Sequence, residues 1–140
     1  MSVVAALAAE LARLGLGTYN PTGPSTITRS HMPAGDLLQI AVLDRGGRPE
    51  GAGVDRRDLR VVARGPARDH VQAEQAANTA RDLLDSQYDT TWATGTPDET
   101  TVVGVTVGPA TFDGPDRNGQ DEWSIMVTVL TEHATPLTAP

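Results

Sequence analysis

The chain of 140 residues contains no cysteine, which excludes disulfide frameworks and thiolate metal sites and leaves the redox compartment open. It contains no lysine: all 11 basic residues are arginine, a bias that GC-rich coding produces. Against them stand 18 acidic residues, for a formal net charge of -7. Nucleic-acid binders draw affinity from clustered cations facing phosphates, so this balance argues against that class. It suits a surface that DNA passes without adhering. No apolar run approaches the roughly 18 residues that span a bilayer. The segment Met1-Ser2-Val3-Val4-Ala5-Ala6-Leu7 lacks a basic n-region, and Glu10 and Arg13 interrupt it with helical phasing, so it reads as helix rather than signal peptide. These features predict a cytosolic protein, one domain over residues 1–140, long enough to bury a core without staples.

Recognisable chemistry is also missing. His31, His70 and His133 lie in a loop, near a helix start and in the C-terminal tail, without ligand spacing. There is no Gly-x-Ser-x-Gly elbow, phosphate-binding loop or dinucleotide fingerprint. Gly46-Gly47 and Gly51-Ala52-Gly53 lack the lysine and following helix that a phosphate cradle needs. A triad drawn from Ser30, His31 and any aspartate is arbitrary without geometry. Asp113, Asp116, Asn118, Gly119, Asp121 and Glu122 resemble a calcium loop. Setting Gly119 as the obligatory glycine puts Gly114 at the first ligand position and Ile125 at the final acid, so the match fails at two of its strongest places. Turn formation explains these residues better. The sequence thus predicts no enzyme, no metal and no cofactor.

What is present is a pattern of elements. Val4, Leu7, Ala8, Leu11 and Leu14 recur at helical spacing until Gly15-Leu16-Gly17 stops them. The polar stretch from Thr18 to Asp36 holds one short strand candidate, Ile27-Thr28-Arg29, ended by Met32-Pro33. Leu37 to Leu43 is a near-continuous apolar run, a strand buried on both faces or in an interface. Asp44 to Gly53 reads as a flexible arm or long hairpin loop. In Leu59 to Arg64 the apolar residues Leu59, Val61 and Ala63 alternate with outward arginines. After Gly65-Pro66, a second helix carries the stripe Ala73, Ala76, Ala77, Ala80, Leu83 and Leu84. Ser86 to Thr101 reads as a polar loop. Its Trp92 is either an interface residue or one folded back over its own helix. Val102 to Pro109 and Glu122 to Leu130 form a final hairpin whose long tip runs from Phe112 to Asp121, with Trp123 in the core or covering the sheet. Thr135 to Pro140 has no pattern. The fold class is α+β: order α-β-β-α-β-β, a mainly antiparallel sheet of four to five strands, and two helices on one face.

Several of these stretches carry a family resemblance. They are the opening helix with Leu11 and Leu14, Met32-Pro33-Ala34-Gly35-Asp36 leading into Leu38-Gln39-Ile40-Ala41-Val42, Gly46-Gly47-Arg48-Pro49, and Val61-Val62-Ala63-Arg64-Gly65 before an alanine-rich helix. Gly108-Pro109-Ala110 and Asp116-Arg117-Asn118-Gly119 before Glu122-Trp123-Ser124 complete them. Over nearly its whole length the chain resembles tail terminator and minor capsid proteins of long-tailed bacteriophages, particularly those infecting actinobacteria.

The resemblance implies a structural virion protein assembled in the host cytoplasm and sited at the head-tail junction. Such proteins form a hexameric ring on the tail tube, stop its polymerisation and meet the head-closure or neck protein. Genome DNA passes through without specific binding, and no membrane is involved. Contacts between copies would be heterologous. The long loops nominate Arg45, Arg48, Arg56, Arg57, Trp92, Asp113, Asp116, Arg117, Asn118 and Asp121 as interface residues. The competing readings are a head-closure or adaptor subunit and, from another class, a small α+β enzyme or ligand-binding protein with a polar pocket.

Overall fold

Ser2 begins the first element by accepting a hydrogen bond from the Ala5 amide on its Oγ at 3.1 Å, which satisfies a free donor of the helix end. The computed structural model describes residues 2–20, 22 and 25–132. His133 and the Thr135–Pro140 tail lie outside the described residues. Helix α1 spans Val3–Arg13 and helix α2 Gln72–Leu84. The strands are β1 (Ile27–Arg29), β2 (Gln39–Gly51), β3 (Val54–Arg64), β4 (Tyr88–Trp92), β5 (Thr100–Val107), β6 (Thr111–Pro115) and β7 (Asp121–Glu132).

The fold is α+β, but its sheet is larger and more mixed than the four to five antiparallel strands expected, and the element order is α-β-β-β-α-β-β-β-β rather than the expected α-β-β-α-β-β. Among the described residues, seven strands join in the order β1-β2-β3-β7-β5-β4, with β6 also paired to β7. β1 runs parallel to β2, and the other pairs are antiparallel. Three local causes account for the difference. Asp44 to Gly53 continues β2 as a long hairpin arm closed by Ala52 and Gly53, both at positive φ (53° and 78°), the geometry of a type I′ turn. Pro49 is tolerated there because, among the described residues, β1 pairs with β2 only from Ile40 to Val42, leaving the outer side of the arm unpaired. Ser86 to Thr101 contains the edge strand β4, which its polar composition hides. Gly108-Pro109 breaks one long strand into β5 and β6, both beside β7.

Burial follows the pleat. Ile40, Val42, Leu59, Val61, Ala63, Ile125, Val127 and Val129 share one face and form a single core with Leu7 and Leu11 of α1 and Ala73, Ala77 and Ala80 of α2. The alanines bring α2 close to the strands. Ile40, Ala41 and Val42 are all buried, as the apolar run predicted for a strand covered on both sides.

Gln39, Ala41, Val62 and Arg64 lie on the opposite face, by register. Arg64 therefore departs from the expectation of outward arginines: it is buried. Its guanidinium donates to the carbonyls of Pro33 and Gly35 and to Gln39 Oε1, fastening the loop before β2 over this face.

Candidate functional site

The candidate site residues fall into two groups: the arm formed by β2 and β3, and the tip between β6 and β7. The tip is shorter than the Phe112–Asp121 loop expected, because Thr111–Pro115 and Asp121 are strand. Only Asp116 to Gln120 remain as turn. Asp116 organises it: its carboxylate accepts the Asn118 amide at 2.8 Å and the Gln120 amide at 3.0 Å. The hydrogen bond from Gln120 and, after it, that from Asn118 hold the Asp116 carboxyl below its ordinary range despite partial desolvation. Arg117 and Asn118 project at the exposed end.

The base of the tip is bound to the domain. Gln120 Nε2 donates to the carbonyls of Gly35 at 2.9 Å and Gly65 at 3.0 Å. Asp121, buried, lies 2.8 Å from His70 Nδ1, and its carbonyl accepts the Gly65 amide. Asp113 pairs with Arg60 at 2.7 Å. Glu122 sits among these charges. Burial, then repulsion from Asp116, pushes its carboxyl above the usual range. Of the tip residues, Arg117 and Asn118 are the exposed ones with side chains uncommitted to ion pairs among the described residues.

On the arm, the arginines differ from one another. Arg57 pairs with Asp44 at 2.9 Å and Arg56 with Asp58 at 3.1 Å. Burial tends to raise the Asp58 carboxyl, but hydrogen bonds from Arg56 and Thr128 outweigh it and leave it lowered. Arg48 makes a solvent-exposed pair with Glu50 two residues away, and Arg45 is exposed without an ion pair among the described residues. Between the base of the arm and Ser2 to Val4 lies an open cleft, lined also by Arg56, Arg57 and Asp44. Its arginines Arg48, Arg56 and Arg57 are already paired with carboxylates of the chain, so they are not free to converge on a ligand as the polar groups of a pocket do.

Trp92 stands apart from both groups. It lies on β4, wholly buried, and its indole N–H donates to Gln87 Oε1 at 2.6 Å. Gln87 in turn donates to Glu10 at 2.7 Å, and Glu10, itself buried, holds Arg13 at 2.6 Å. Of the two readings of Trp92, the structure has the inward one, and its place among interface candidates is corrected. Burying so large a side chain removes it from water, and the only polar atom finds a partner. Trp123 packs at the core margin with Phe112, ring centroids 5.3 Å apart.

Sequence reasoning missed Arg64, Gln120 and Gln87, whose roles depend on distant carbonyls and side chains that no spacing reveals. It also missed Tyr88, which is 72% exposed on the edge strand β4. An aromatic inside a polar, acidic stretch was the available signal. Among the described residues, no group of three or more acidic or histidine side chains converges in a way that could hold a metal ion, and no helix is long and apolar enough to cross a membrane.

A family model described as bacteriophage tail terminator protein matches residues 10–132. The match takes in every strand, the arm and the tip, and begins within α1. No curated protein matches the chain. The matched span covers most of the sequence, so the chain belongs to the bacteriophage tail terminator family and is a structural component of the phage tail.

Proposed function

We propose that this protein is a tail terminator in the full sense: a ring, hexameric by resemblance, that caps the tail tube, stops its polymerisation and joins the tail to the head-closure or neck protein. Membership of the family over residues 10–132 carries the reading. The long β2–β3 arm supports it, since nine residues from Asp44 to Ala52 reach outward as exposed strand and turn that the monomer's own core does not need. The site is the head-tail junction, with assembly in the host cytoplasm, and the role is non-catalytic. Arg45, Arg48, Arg56 and Arg57 on the arm and Asp113, Asp116, Arg117 and Asn118 at the tip are the contact candidates; buried Asp121 serves mainly to hold the tip.

Purified protein should form rings, alone or on added tail tubes, visible by negative-stain electron microscopy, and should limit tube length. A strictly monomeric protein that leaves tube length uncontrolled would reject the proposal. Density for this chain on the portal side of the neck, rather than on the last tube ring, would favour a head-closure or adaptor role.

A further inference from the structure

We propose that neighbouring subunits meet through the two edges of the sheet, the acidic β4 edge of one copy lying against the arginine-bearing outer edge of β2 in the next. The proposal rests on the ring reading above and names its contact surfaces.

The two edges are chemically opposite. No arginine occurs between Arg81 and Arg117. At the end of α2 and along β4, Asp82, Asp85 and Asp89 are exposed and without an ion pair among the described residues. Between them stand Leu83 and Tyr88, the latter the most exposed large apolar side chain described. At the other end of the strand order, among the described residues, β1 leaves β2 unpaired beyond Val42. That edge carries Arg45 and, next to it along the sheet margin, Arg29, both exposed and without ion pairs among the described residues. Arg48 is 66% exposed and its ion pair with Glu50 lies at the surface, a kind of contact worth little and readily exchanged.

The two surfaces are distinct, as a heterologous ring contact requires. Opposite charge would set the register of the encounter. A planar guanidinium on the tyrosine ring would remove the exposed aromatic surface from water. β4 does not offer a continuous ladder for a new strand: Asp89, at φ 46°, is skipped in its pairing with β5. The contact is therefore made by side chains, not by adding strand to strand.

Two charge reversals test this. R45D/R48D changes one edge and D82R/D85R the other; Asp89 is left alone because its left-handed φ suits aspartate better than arginine. Each variant should keep the wild-type far-ultraviolet circular dichroism and fail to form rings by itself. Mixed in equal amounts they should form rings again, because alternating copies then present complementary edges throughout. Rings formed by either folded variant alone, or no rescue on mixing, would overturn the edge contact while leaving the ring reading intact. Absence of rings from the wild type, even on tail tubes, would instead overturn the ring reading and this contact with it.

Discussion

The two tryptophans show how a single hydrogen bond separates residues that look equivalent in sequence. Trp92 Nε1–H has Gln87 as acceptor, whereas the buried Nε1–H of Trp123 has no partner among the described residues. Replacing Trp92 by phenylalanine removes volume from the core and leaves Gln87 Oε1 unpaired, so it should cost about 2 kcal/mol. Trp123→Phe loses similar volume at the core margin but also removes an unsatisfied donor, and should cost less than about 1 kcal/mol. Urea unfolding followed by circular dichroism measures both; equal losses would refute the assigned roles. Arg64 makes a stronger case. Truncation to alanine strands three acceptors and should cost about 3 kcal/mol. Lysine should rescue little of it, because one ammonium cannot reproduce the planar fork that serves Pro33, Gly35 and Gln39 together.

Within the elements, turn chemistry decides what the strands do. The arm closes through Ala52 at φ 53°, a conformation in which asparagine is favoured over alanine. Ala52→Asn should raise stability by about 0.5 kcal/mol in denaturant unfolding, and a loss would show that the turn is not type I′ in solution. At the other hairpin, the Asp116 carboxylate supplies the turn's internal bonds. Its folded pKa lies below the unfolded one, so its contribution is complete above the ordinary carboxylate pKa and is lost as pH falls through the lowered value. The gap in melting temperature between wild type and Asp116→Ala should therefore be full at neutral pH. It should begin to narrow only below about pH 4 and then close. A gap independent of pH would mean that the carboxylate does not act in its charged form. Because Gln120 binds Gly35 and Gly65, cutting Gly114–Gln120 down to a two-residue turn should lower stability as well as disturb assembly. Both helices and the pleat of β3 and β7 were legible in the sequence, since apolar period reports directly which side faces a core. The arm and β4 were not. Their residues face solvent on an edge, where polar side chains and glycine are compatible with strand as well as with loop. The loop-borne site candidates were legible as positions but not as partners, because ion pairs such as Arg60 with Asp113 join residues far apart in the chain.

At the scale of the whole molecule, charge is distributed as well as counted. The net value of -7 conceals six arginines between Arg45 and Arg64. Five of these, Arg48, Arg56, Arg57, Arg60 and Arg64, face carboxylates within 4 Å, by ion pairs from 2.7 to 3.8 Å. An arginine already neutralised by its neighbour releases few counterions on meeting a phosphate, so the cluster on the arm does not amount to a DNA-binding stripe. The acids from Asp82 to Glu99 have no compensating arginine in that stretch and repel the duplex. The expectation is an affinity for double-stranded DNA weaker than about 10⁻⁴ M at physiological salt, the weak end of non-specific binding. Fluorescence anisotropy with a labelled duplex tests it across a salt series. Micromolar binding at physiological salt, falling steeply as salt rises, would show that free cations line a DNA-facing surface. A flat, near-zero response would fit a tail component that the genome traverses without being held.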